Sequence, residues 1–190
     1  RMNLLALTAL ASAFISVHAS AVTIVSECGD DVCFEYDQDT MYGGANIVGN
    51  SIFFLPTNFK AESLNGSGVV TANETLNIKV TSIDPNVDWI TAFALAESGD
   101  YRLNNANDSV DVTGLLAVTS NTALDPATAI PPLFPDGVSP FRAEELFNAG
   151  NLDVQGSLTQ WSTSALIDLS DTAGWGSDTD VTVTIENLLS

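Results

Sequence analysis

Cys28 and Cys33, in the stretch "SECGDDVCFEYD", are the only cysteines in this 190-residue chain. Two thiols this close could hold a metal, cycle as a redox pair or close a disulfide. Zinc needs four ligands, and the single histidine, His18, lies in a leader-like N-terminal segment. A redox pair is normally spaced Cys-x-x-Cys, whereas four residues intervene between these two. The flanking runs "VTIVSEC" and "VCFEYD" are rich in strand formers, and Gly-Asp-Asp between them suits a hairpin turn. The two cysteines then face each other across a short hairpin, and in an oxidising compartment they form a staple. Loop entropy for so small a ring gives about 2 kcal/mol of stabilisation.

The remaining chemistry is sparse. With no histidine beyond the leader, both cysteines paired and no Gly-x-Ser-x-Gly elbow, no Ser-His or Cys-His nucleophile can be assembled. Glu144 and Glu145 are the one adjacent acid pair that invites comparison with glycoside hydrolysis, but on a helix neighbouring side chains diverge, and a solvated face explains them. No enzyme is expected. Asp171, Asp178 and Asp180 in "DTAGWGSDTD", with Asp108 and Asp111 in "NDSVD", offer hard oxygen ligands for a structural calcium ion. Neither run has the spacing of a calcium-binding loop, and acidic loops are expected in a chain with 24 Asp and Glu. No cofactor is expected otherwise. Among the tryptophans, Trp89 and Trp161 sit in strand-like runs and read as core, while Trp175, between Gly174 and Gly176, is the candidate for stacking on a sugar ring. Asn65, Asn73 and Asn107 head Asn-x-Ser/Thr triplets, which a chain this rich in Asn, Ser and Thr also produces by chance.

The elements that would carry these groups follow from composition and pattern. Five Lys and Arg against 24 Asp and Glu give a net charge of −19, so phosphate backbones and anionic lipid surfaces would repel the chain. A hydrophobic content of 45% supplies a core and argues against disorder. Residues 1–21, "RMNLLALTALASAFISVHASA", have a basic start, an apolar middle and the small-residue end Ala19-Ser20-Ala21, the form of an export leader. The same run alternates apolar residues such as Ile15 and Val17 with Ser16 and His18, as a strand with one buried face would. No later stretch is long and apolar enough to span a membrane.

Residues 22–190 read as one all-β domain, a β-sandwich of immunoglobulin-like or jelly-roll type. "NETLNIKVTSID" alternates Leu76, Ile78 and Val80 against Asn77, Lys79 and Thr81. Further strand-like runs recur between Gly, Asn, Asp and Pro breaks up to "TDVTVTIENLL". The exception is a long Pro-rich loop, "DPATAIPPLFPDGVSP", leading into "FRAEELFNAG". There Ser139 as cap, Pro140 at the first position and Gly150 as stop predict one short helix.

The stretches "GNSIFFLPTNFKAES" and "AESGDYRLNN…VDVTGLLAV" resemble the exported β-sandwich surface proteins of Gram-negative bacteria that often end in a PEP-CTERM-type sorting tail. The resemblance implies a secreted, extracellular or cell-surface location and brings no catalytic residues. The chain departs from it at "TVTIENLLS", which has no Pro-Glu-Pro, hydrophobic span or basic tail. The expectation drawn from these features is a structural subunit of an extracellular fibre or pilus-like assembly. Copies would join by N-terminal strand donation through Ile15, Val17, Val22 and Ile24, which resembles donor-strand exchange in pili. The competing expectation is a monomeric biofilm-matrix module that binds polysaccharide through Trp175.

Overall fold

The computed structural model describes residues 22–64, 68–105, 107–121, 142–169 and 178–190. Ten strands run through them: β1 (Ile24–Cys28), β2 (Val32–Asp37), β3 (Ala45–Val48), β4 (Ser51–Phe54), β5 (Ala72–Ser82), β6 (Ala92–Tyr101), β7 (Val112–Ser120), β8 (Arg142–Asn148), β9 (Thr159–Asp168) and β10 (Asp180–Leu189). No helix occurs among the described residues, and the fold is all-β.

Six strands form one antiparallel sheet in the order β1-β2-β5-β10-β7-β8, while among the described residues β3 pairs only with β4 and β6 only with β9. The centre of the large sheet is the ten-residue ladder between β5 and β10, from Asp180↔Thr81 to Leu189↔Ala72. Alternation dictates its faces, since successive side chains point to opposite sides. Leu76, Ile78 and Val80 of β5 and Val181, Val183 and Ile185 of β10 are buried. Asn77, Lys79, Thr182, Thr184 and Glu186 occupy the opposite face, where Thr184 donates to Asn77 Oδ1 at 2.8 Å. A one-residue slip would exchange these two sets, so burial itself fixes the register.

The buried row of the large sheet packs against the two ribbons. Ala165 and Ile167 of β9 join the same core cluster, with Ile47, Ile52 and Phe54 from β3–β4 and Phe93 and Leu95 from β6 packed on it half-buried. A smaller cluster of Tyr101, Leu103, Val112 and Leu152 closes one end, and Trp161 packs against it. Trp161 has room because its partner in the ladder is Gly99. A Cβ at Gly99 would lie 2.8–2.9 Å from the indole ring.

The predicted helix is instead β8. Arg142–Asn148 pairs along β7, from Thr113↔Asn148 to Thr119↔Arg142. Ala143 and Phe147, four apart, suit one face of a helix, but they also share one face of a strand, so spacing alone could not choose. The tertiary partner chose: the Phe147 ring occupies the space that a side chain at Gly114 would need. Gly150, with φ +76°, is at the exit of the strand rather than of a helix. Ser139, Pro140 and the Pro-rich run before them lie outside the described residues.

Candidate functional site

The alternation that builds the core is broken at two inward positions. On β10 the row Val181, Val183, Ile185 continues with Asn187, and on β6 the row Phe93, Leu95 continues with Glu97. A third polar group, Tyr42, arrives from the connection between β2 and β3. Asn187 Nδ2 donates to Tyr42 Oη at 2.6 Å and to Glu97 Oε1 at 2.7 Å, joining the large sheet, the β6–β9 ribbon and the connection in one cluster. Asn187 is 5% exposed and Tyr42 7%. Asn187 Oδ1 is buried with no hydrogen-bond partner. Such an acceptor costs about 1–3 kcal/mol while it stays unsatisfied.

The electrostatics follow from burial. Desolvation pushes the Glu97 carboxyl above its usual range, and the Asn187 hydrogen bond pulls the other way. Burial likewise pushes the Tyr42 phenol up to about 12, opposed by the bond from Asn187 and helped by the charges of Glu97 and Glu74. Glu74 opposes Asn187 in the β5–β10 ladder. The cluster thus gathers two acids, a phenol and an amide. The group bonded to Glu97 is an amide, which neither takes nor gives up a proton under ordinary conditions. The arrangement can hold a proton and tie the layers together.

The second constellation is at the opposite end of the sheet. Cys28 and Cys33 are joined in a disulfide as the sequence predicts, with Cα atoms 3.9 Å apart. They are a registered pair of the β1–β2 hairpin, and Gly29 N–H donates to Val32 C=O at 2.8 Å, leaving Asp30 and Asp31 at the tip. That tip meets the tip of β3–β4. Asp31 N–H donates to Asn50 Oδ1 at 2.8 Å, and Asn50 Nδ2 to Asp31 Oδ2 at 2.7 Å. Gly29 lies so close to the Gly49 carbonyl that no Cβ fits between them. Gly49, at φ +58°, turns the chain in the left-handed region.

The other sequence candidates are dispersed. Ile24 opens β1 and pairs with Asp37 of its own chain, with its side chain 55% exposed, and Val22 just before it is 63% exposed. Thr23 C=O accepts from Gln38 N–H at 3.0 Å, so the hairpin pairing begins at Thr23. Ile15, Val17, Trp175, Asp171 and Asn65 lie outside the described residues, whereas Asn73 and Asn107 are exposed. Trp89, expected in the core, is 54% exposed; it belongs to the connection before β6, where no ladder presses it inward. Asp178 is buried and accepts from Ser120 Oγ. Asp180 pairs with Lys79 at 3.3 Å, and Asp108 accepts from Asn105 Nδ2 at 2.9 Å. Glu144 pairs with Arg142. Glu144 and Glu145 point to opposite sides of β8, as neighbours on a strand must. Among the described residues, no three His, Cys, Asp or Glu side chains gather where they could hold a metal ion, and no helix is long and apolar enough to cross a membrane.

Glu97 and Asn187 went unnoticed in the sequence. Their signal was a polar residue at the parity of an apolar row, readable only once the face of each strand is known. Compared with known protein families, with curated proteins and with solved structures, the chain matches none.

Proposed function

We propose that the chain is an exported structural subunit of an extracellular fibre or pilus-like assembly, in which the N-terminal segment of one copy adds a strand to a β-sandwich of the next. The observation that carries this reading is the broken second layer. Among the described residues, a continuous six-stranded sheet is faced by two ribbons with no ladder between them. Of the apolar residues that the ribbons turn inward, Ile47, Ile52, Phe54, Phe93 and Leu95 stay half-buried, whereas Ala165 and Ile167 are buried like the centre of the sheet beneath. An added strand along a free ribbon edge would satisfy main-chain groups and cover these side chains together.

Charge supports the choice of donor. All 24 acids fall at or after Glu27, so residues 1–26 can approach a body of this charge without repulsion. Because pairing within the chain begins at Thr23, the donated residues are those up to Val22, with Ile15 and Val17 filling acceptor positions. Ile24 anchors the donor to its own sheet. The resemblance to exported surface proteins fits a location outside the cell.

The test is electron microscopy and sedimentation of the secreted chain, with N-terminal sequencing of the same material, beside a variant lacking residues 1–22. Filaments from the first and monomers from the second are expected. Filaments from a chain whose sequenced end is Val22 would overturn strand donation. A chain that keeps the segment and remains monomeric at high concentration would overturn the fibre itself. The exposed Trp89 indole favours the second reading, a monomeric polysaccharide-binding module. Loss of glycan retention on affinity electrophoresis in Trp89→Ala would support it.

A further inference from the structure

Asn187 has two amide hydrogens, and both are used, one on Tyr42 Oη and one on Glu97 Oε1. Its oxygen is buried and has no donor. A carboxylate cannot help, because it only accepts. A carboxylic acid presents the complementary edge: one oxygen accepts from the amide N–H, and the other carries the hydrogen that the amide oxygen lacks.

We propose that Glu97 stands protonated in the folded domain and forms a carboxylic acid–carboxamide ring with Asn187, a proton-operated latch between the β6–β9 ribbon and the large sheet. The surroundings agree. The groups facing Glu97 are Tyr42 from the β2–β3 connection, Asn187 from β10 and Thr163, its partner on β9. None is a cation, and Glu74 of β5, opposite Asn187 in the ladder, supplies no counter-ion either. The Thr163 hydroxyl donates to Asn148 C=O at 2.7 Å. Lys60 pairs with Glu62, Lys79 with Asp180 and Arg142 with Glu144, and Arg102 is exposed. An ionised Glu97 would be a half-buried charge with one hydrogen bond and no counter-ion, beside an unsatisfied amide oxygen. The direction in which burial moves this carboxyl is the same.

The sign of the effect follows from linkage. The folded state holds the proton more tightly than the unfolded chain does. The latch contributes fully below the usual glutamate range, and its contribution is lost as pH rises through the folded-state titration. Relief of general charge repulsion acts in the same direction, so a comparison is needed to separate them. Glu97→Gln supplies it, because a carboxamide offers Asn187 the same donor and acceptor at every pH.

The experiment is denaturant unfolding of the full chain and of Glu97→Gln from pH 4 to pH 8, with carbon-13 NMR of the glutamate carboxyls. The wild-type folding equilibrium constant should fall relative to the variant as pH rises, tenfold for each pH unit by which Glu97 titrates above the unfolded chain. One carboxyl resonance should titrate later than the rest and be missing from the variant. A stability ratio that does not change with pH would overturn the latch. So would glutamates that all titrate together, a readout that needs only the wild type if the variant fails to fold.

Discussion

The two ribbons solve the same problem in different ways. Among the described residues each is a two-stranded ladder with no third strand, and an isolated two-stranded hairpin is marginal in water. The β6–β9 ribbon is long, with ten registered pairs from Ala92↔Asp168 to Tyr101↔Thr159. Phe93, Leu95, Ala165 and Ile167 line its inner row, it runs beside β8, and Glu97 ties it to the large sheet. The β3–β4 ribbon has only four pairs, Ala45↔Phe54 to Val48↔Ser51, and its outward Val48 and Phe53 are 67% and 51% exposed. It is held at points: the clasp of hairpin tips, the Tyr36 hydroxyl accepting from Ala45 N–H at 2.9 Å, and the edge-on contact of Tyr36 with Phe54 at 5.2 Å. Tyr42 continues the aromatic run, 5.9 Å from Phe54 and stacked on Phe59 at 5.8 Å. A long ribbon can rely on area, whereas a short one needs specific partners.

The sharpest way to break this contrast is to remove area from the long ribbon. Ile167→Ala should cost about 3 kcal/mol, because Ile167 is 5% exposed and its methyl groups leave a cavity in the shared core. Urea unfolding should shift as one transition. On the short ribbon the comparable target is contact, not area. Gly29→Ala must push the two hairpin tips apart, and overpacking of this kind costs about 2 kcal/mol. Hydrogen exchange should show that loss first in β3–β4 and in the tip of β1–β2, with β6–β9 still protected. Equal loss of protection in both ribbons would mean that the clasp serves the whole domain. Reduction of the disulfide comes next, at no more than about 2 kcal/mol for so short a loop. Registered pairing of β1 with β2 survives without it, so the expected result is faster exchange at the tip, not unfolding.

Much of the large sheet was legible because alternate residues from Leu76 to Val80 in β5 and from Val181 to Ile185 in β10 are apolar, and that parity survives any reasonable error in strand ends. The staple was legible for another reason: its two cysteines and its turn lie within six residues, so no distant partner was needed. What failed depended on partners far along the chain. Ala143 and Phe147 fit either periodicity until β7 supplies Gly114 opposite Phe147. Trp89 has the composition of a strand residue but no ladder to place it. Glu97 and Asn187 are 90 residues apart, and only the stacking of β6 over β10 brings them together. A polar residue on an apolar parity was the visible trace of that meeting, and it gives no hint of its partner.

The smallest predicted effect is the most discriminating test of the clasp. Asn50 makes two hydrogen bonds with Asp31, one to its main chain and one to its carboxylate, and both residues are exposed. Water can replace both bonds in Asn50→Ala, so the expected cost is about 0.5 kcal/mol, below that of Gly29→Ala at the same contact. The difference separates two ways in which the tips could be joined. If close approach of the Gly29 and Gly49 backbones holds them, removing the Asn50 side chain leaves the approach intact and exchange in β3–β4 almost unchanged. If the amide–carboxylate pair holds them, Asn50→Ala should release the ribbon as fully as Gly29→Ala does, and a double variant should add nothing. The geometry favours the first outcome, because a contact that excludes even a methyl group is decided by backbone shape before any side chain is placed.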